Sequence, residues 1–364
     1  MAPLVATLIL VVTLVLILSD RLNHTIAAAG GAAAMMAAGL LLGFYSEEQA
    51  LGAMHFGALG LLLGMMVLVS ILAPTGFFQY LAIKAGQLSG GSPWRLLLML
   101  GAGTAFVSLF FNNVTTVVLV GPITILIAEL LGITPIPILM AQALLSDTAD
   151  VGTSVGDPAS VLVASASGYS FTDFLTHSMP IVAVAALITL ILLRILFRSE
   201  LAKGPEKPEL VMTLDAEEAL QDRRTAQRVM IILAVAIVLF ILQGPLSVSS
   251  ELIALSAAAV ALVWVRPNVR DVFQRVDWPV LMFFAGLFVM VGGLEAAGVF
   301  EPIAAALAPL GHTNPRLLGV VIIWVVAALS ALVDNVPVTI AMISLLGGLA
   351  AAGVDVSALW WAVV

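Results

Sequence analysis

Apolar residues run through this chain in long unbroken stretches, with polar residues gathered between them and at a few points inside them. The stretches at 2–18, 25–43, 55–73, 178–197, 229–246, 250–265 and 278–297 carry almost no charge. A helix needs roughly 20 apolar residues to cross a bilayer. The pattern therefore predicts an all-α polytopic membrane protein. The first stretch lacks a basic n-region and an obvious cleavage site, so it is expected to stay as a span.

The pattern also repeats. Residues 55–118 align without a gap on 277–340, pairing Gly64 with Gly286, Gly76 with Gly298, Pro93 with Pro315, Ser108 with Ser330 and Asn113 with Asn335. Each copy ends in a polar break inside apolar sequence. The first holds Ser108, Asn112, Asn113, Thr115 and Thr116; the second holds Ser330, Asp334, Asn335 and Thr339. Related halves with interrupted hydrophobic segments are a signature of secondary transporters.

Basic residues set the expected orientation. Arg194, Arg198, Lys203, Lys207, Arg223, Arg224 and Arg228 flank one polar stretch, and Arg266, Arg270 and Arg275 lie two spans later. Both regions are cytoplasmic by the positive-inside rule. The N-terminus then lies outside, and 95–131 and 315–353 become re-entrant hairpins entered from opposite sides. The repeats are thus expected to be inverted. The N-terminal half, 1–198, contains the first repeat from 55. A cytoplasmic linker covers 199–227, and the second half, 228–364, contains the second repeat from 277. The stretches 74–92 and 299–313 read as interfacial helices.

A third polar cluster runs from Ser146 to Pro158 and includes Asp147, Asp150, Thr153, Gly156 and Asp157. Gly152, Gly156 and Pro158 sustain a helix poorly, so this span should unwind in its middle. A charged carboxylate at the bilayer centre costs about 2.5–3.5 kcal/mol, so such residues face water, a cation or a proton. The oxygens of Asn113, Asn335 and Thr153 are candidate sodium ligands, since hard cations take oxygen donors. Helix N-termini at the breaks would favour an anionic group.

Composition narrows the class. The chain is 62% hydrophobic and 10% charged, against about 25% charged in soluble domains. A net charge of −8 argues against nucleic acid, and the lack of cysteine excludes disulfides and thiolate metal sites. Glu129 reads as structural. His24, His55, His177 and His312 fall near predicted membrane edges without metal-ligand spacing. Trp94, Trp264, Trp278, Trp360 and Trp361 fit an aromatic belt. No H-E-x-x-H motif occurs, and Ser154 replaces the first glycine of a G-x-G-D motif, so an intramembrane enzyme is not expected.

The order Asn113-Val-Thr-Thr, Ala128-Glu129-Leu-Leu-Gly132-Ile-Thr-Pro135 and Gly156-Asp157-Pro158 resembles the ion transporter superfamily over nearly the whole chain. The similar branch is that of arsenite permeases and NhaD-type sodium–proton antiporters, with a citrate-transporter-like domain. The resemblance implies a homodimer in a bacterial-type inner membrane, moving a small ion or anion by elevator-like motion. It implies no cofactor beyond sodium or protons as coupling ions. It places the binding site between two hairpin tips and two broken helices. Carried over, the site residues are Ser108, Asn112, Asn113, Thr115, Asp334 and Asn335 at the tips, with Thr153, Gly156, Asp157 and Pro158 at the first broken helix. The chain departs from the family at Asp147 and Asp150, where neutral residues are usual. The second broken helix, placed by the repeat at 368–382, would fall past Val364, so the second repeat is expected to be incomplete.

Among substrates, sodium–proton antiport leads. No Lys or Arg occurs between Arg95 and Arg194 or after Arg316, whereas Asp147, Asp150, Asp157 and Asp334 supply proton-exchanging carboxylates. Arsenite or antimonite efflux and sodium-coupled citrate or dicarboxylate transport are the alternatives, with a channel more remote.

Overall fold

The computed structural model describes residues 1–19, 21–202, 204, 213–331, 333 and 335–364. Among them every regular element is helical. The helices used below are α1 (Ala2–Leu18), α2 (His24–Leu42), α3 (Glu47–Ala53), α4 (Phe56–Leu72), α5 (Phe77–Leu88), α6 (Pro93–Ser108), α7 (Asn113–Leu131), α8 (Ile136–Asp150), α9 (Pro158–Ser167) and α10 (Phe171–Leu196). They continue with α11 (Arg223–Ile241), α12 (Ser250–Val265), α13 (Val269–Arg275), α14 (Trp278–Ala296), α15 (Phe300–Thr313), α16 (Pro315–Ser330) and α17 (Asn335–Ala351). Among the described residues six helices are long and apolar enough to cross a membrane: α2, α4 with its 3₁₀ extension to Thr75, α7, α10, α11 and α14.

Local chemistry sets the helix ends. Asn23 caps α2 through its side chain, and Gly43 and Gly132 end α2 and α7 in the left-handed conformation open to glycine. The α10 helix starts seven residues before its apolar run. Ser170 and Asp173 form a reciprocal capping box there, which nucleates the helix early.

The 222-residue spacing reappears in the elements. Pro93 and Ser108 bound α6, and their repeat partners Pro315 and Ser330 bound α16; Asn113 and Asn335 likewise begin α7 and α17. Gly76 and Gly298 adopt nearly the same left-handed backbone, φ 79° and 74°. Gly64 and Gly286 each sit at a close crossing. A Cβ on Gly64 would lie 2.6 Å from the Ala254 carbonyl carbon, and one on Gly286 2.9 Å from the Ala28 oxygen. Small residues let helix backbones approach where lipid supplies no hydrophobic drive.

Packing groups the chain into two compact units, each built from separated segments. One comprises Met1–Leu59, Leu162–Tyr169 and Asp277–Val364. Its axis is α14, which packs on α1, α2, α3 and α17. Within it Ser344 of α17 donates a 3.0 Å hydrogen bond to Glu295 of α14, and Tyr169 stacks on Trp361. Burial, with the nearby Glu295 carboxylate adding to it, pushes the Tyr45 phenol up to about 12. Burial also pushes His55 down, the same carboxylate opposing it.

The other unit comprises Gly60–Val161 and Ser170–Val276. Here α6 packs most closely on α8, and α8 also meets α7 and α10. Arg194 lies 4.9 Å over the Trp94 ring, which sets the end of α10 beside the start of α6. Part of the linker is tied down: Gln87 donates to the Leu214 carbonyl at 2.7 Å, and Asp222 N–H to the Thr75 carbonyl at 3.3 Å. The linker's Lys203, Pro205, Lys207 and Pro208 lie outside the described residues.

Gly76 is the tightest point of that tie. A Cβ there would stand 1.7 Å from the Ala219 carbonyl oxygen, at a φ that already costs a side chain about 1–2 kcal/mol. Gly76→Ala is expected to detach 214–222 from α5. Limited proteolysis of the purified protein should then cut the linker faster, while Gly90→Ala, which meets nothing within 4 Å despite its own positive φ, separates strain from clash.

Candidate functional site

The first hairpin tip and the first broken helix meet in one unit. The chain leaves α6 at Ser108, turns through 109–112 and re-enters helix at Asn113. The α8 helix ends at Asp150 and α9 begins at Pro158, so 151–157 is the unwound stretch that Gly152, Gly156 and Pro158 predict. Thr153 bridges the two: its hydroxyl donates to the Leu109 carbonyl and accepts the Gly156 N–H at 3.1 Å. Gly156 makes the approach feasible. A Cβ there would lie 2.6 Å from the Asp150 carbonyl oxygen and 2.8 Å from that of Ser108.

The side chains then fall into three roles. Asn112 caps α7, its Oδ1 accepting the N–H groups of Val114 at 3.0 Å and Thr115 at 3.3 Å. Asp157 caps α9 in the same way, accepting from Ala159 at 2.8 Å and Ser160 at 3.3 Å. Asn113 donates from Nδ2 to Asp147 Oδ1 at 2.7 Å, joining the tip to α8. Asp147 is exposed and faces a cleft of about 430 Å³ between α7 and α8, lined also by Asn113, Val117, Leu144 and Ser146. Asp150 is 1% exposed, and its Oδ2 has no hydrogen-bond partner among the described residues. Ser108 and Ser154 hydroxyls are buried and unpartnered in the same sense.

The second tip belongs to the other unit. Asn335 begins α17 and is exposed, and its carbonyl accepts the Thr339 hydroxyl at 3.0 Å. Asp334 lies outside the described residues.

Two features bear on the expectation of an anion site at the helix N-termini. Asn112 already takes the Val114 and Thr115 N–H groups in the first turn of α7, and Asp157 those of Ala159 and Ser160 in α9. A carboxylate at the α9 terminus also cancels the positive end that an anion would seek. Beside these caps lie Asp150 Oδ2 and the Ser108 and Ser154 hydroxyls, oxygens of the kind that can meet a cation or a proton.

Sequence reading missed Thr104 and Gln142. Gln142, Ser146 and Asp150 recur at helical spacing, one turn apart, and Thr104 and Ser108 do the same on α6. That periodicity was the available signal, and the apolar background of both helices hid it.

A helical membrane protein with interrupted, polar-lined segments is a transporter architecture. The chain belongs to the citrate transporter family (CitMHS), whose model matches residues 14–364. It is 36% identical to a 46 kDa membrane protein of Mycobacterium leprae, over 98% of this chain and 84% of the relative. It is 35% identical to an uncharacterized transporter of Mycobacterium tuberculosis, over the same shares. With the magnetosome protein MamN of Paramagnetospirillum magneticum it shares 30% identity, over 89% of this chain and 74% of the relative. The protein is thus an integral membrane transporter of this family.

Proposed function

We propose that this transporter exchanges sodium for protons by alternating access, as a secondary active antiporter. The observation that carries the reading is the capping of both helix N-termini beside buried carboxylates. The break offers Asp150, Asp157 and neutral oxygens, and Asn112 and Asp157 each occupy two of the first-turn donors that an anion could use at α7 and α9. Asp157 and Asp334 exchange the proton for the cation in this reading, with Asn113, Asn335 and Thr153 as neutral oxygen ligands. The inverted repeat supplies the two symmetry-related states. A homodimer and an inner-membrane location with a cytoplasmic linker complete the proposal.

Citrate transport is the second reading, and the name of the family favours it. A trianion would need fixed cations, and no Lys or Arg lies between Arg95 and Arg194. It would therefore have to enter already paired with a metal cation held by the carboxylates.

The test is proton movement in proteoliposomes after addition of sodium or lithium. Asp157→Asn keeps an oxygen to cap α9 but removes the charge, so the fold should hold while exchange is lost. Asp157→Ala removes the cap as well and should cost about 1 kcal/mol more in stability. Exchange that survives Asp157→Asn would remove Asp157 from the mechanism. Citrate uptake without sodium-driven proton movement would replace the antiport reading.

A further inference from the structure

The α6 and α8 helices share a buried polar stripe that extends below the site. Thr104 and Ser108 stand one turn apart on α6, and Gln142, Ser146 and Asp150 stand at successive turns on α8. None is more than 2% exposed. The Gln142 amide donates to Thr104 Oγ1 at 3.2 Å, and Thr104 Oγ1 donates to the Leu100 carbonyl at 2.7 Å. Ser108 is level with the break through its carbonyl beside Gly156. The stripe thus runs along α8 for about 12 Å, at 1.5 Å per residue, from Asp150 toward the helix starts.

Three atoms along it have no hydrogen-bond partner among the described residues: Gln142 Oε1, Ser108 Oγ and Asp150 Oδ2. Each such buried group costs about 1–3 kcal/mol if left unpaired. Three on one line are more than a stable core sustains, and water with two to four polar partners satisfies them. Below Gln142 the lining turns apolar: Leu97, Leu100 and Ile138 are all buried.

We infer that Thr104, Gln142, Ser108 and Asp150 line a file of ordered water that gives protons and small monovalent cations access to Asp150 from the α6 and α8 starts. The apolar ring of Leu97, Leu100 and Ile138 closes it in this conformation. The hydration rests on the packing alone; the transport role rests on the antiport reading. That end of the unit carries Arg95 and the Arg194–Trp94 contact, the cytoplasmic edge by the positive-inside rule.

The chain has no cysteine, so single cysteines report without background. The probe is Ag⁺, a thiol-reactive monovalent cation, applied to the full chain, with unreacted thiols then counted by a maleimide after unfolding. Gln142→Cys and Thr104→Cys should react roughly tenfold or more faster than Ile127→Cys and Leu131→Cys of α7, which are as buried but off the stripe. Equal, slow reaction at all four positions would overturn the file. Thr104→Cys changes volume little, so it carries the test should Gln142→Cys fail to fold. In proteoliposomes Gln142→Leu should slow sodium-driven proton movement roughly tenfold by closing the path. Fast Ag⁺ reaction in a protein that moves no protons would keep the hydrated file and remove the antiport reading. Proton exchange without Ag⁺ reaction would do the reverse.

Discussion

Asp150→Asn is expected to abolish exchange while making the protein more stable. The carboxylate is almost completely buried, with one oxygen unpartnered, one turn from Asp147 and across the break from Asp157. A charged carboxylate at this depth costs about 2.5–3.5 kcal/mol by insertion scales. Asparagine has the same shape and no charge, so the substitution removes that cost and leaves packing intact. A residue retained against stability is one that function requires. Sodium-driven proton movement should fall about 100-fold or more, the scale of losing a proton-transfer group. The thermal unfolding midpoint in detergent should rise or hold. A lower midpoint with exchange retained would make Asp150 a structural residue and leave Asp157 as the remaining buried carboxylate at the break.

Gly156→Ala is expected to cost as much activity for the opposite reason. The new Cβ would meet the carbonyl oxygens of Asp150 and Ser108 at 2.6 and 2.8 Å, both backbone atoms. No side chain can swing aside, so the hairpin tip has to move away from the broken helix. Overpacking of this kind costs about 1–3 kcal/mol. The displacement also pulls Leu109 from the Thr153 hydroxyl, the bond that ties tip to break. Exchange should drop about 100-fold, since misplacing groups by even 1 Å costs that much. Gly103→Ala on the same hairpin meets nothing within 4 Å and should keep exchange, with stability up to about 1 kcal/mol higher. Equal behaviour of the two variants would show that the close approach at Gly156 is not needed.

Much of the architecture is legible in the chain. The apolar runs became α1, α2, α4, α10, α11, α12 and α14 with ends shifted by local capping. The 222-residue offset became matched helix boundaries at Pro93 and Pro315 and matched left-handed glycines at 76 and 298. The break at 151–157 follows from Gly152, Gly156 and Pro158, because glycine and proline act on the backbone locally. The candidate site was legible only in part. Asn113 and Asp147 were both singled out, yet nothing in their spacing of 34 residues says that they bond. Asn112 and Asp157 were read as ligands, and both also serve as helix caps.

By itself the sequence determined the membrane class, the rough extent of most long helices, the repeat and the position of the break at 151–157. These follow from hydropathy, helical length and backbone stereochemistry, all of which act within a few residues. Only the tertiary structure decided which side of each helix faces which neighbour. Apolar residues surround the polar stripes of α6 and α8, so hydropathy cannot tell whether a stripe faces a neighbouring helix. The pairing of Gln142 with Thr104, the seat of Gly156 against Ser108 and the burial of Asp150 depend on shape and hydrogen bonds between distant segments. Close packing of small residues selects those contacts, and that selection operates only once the helices are together.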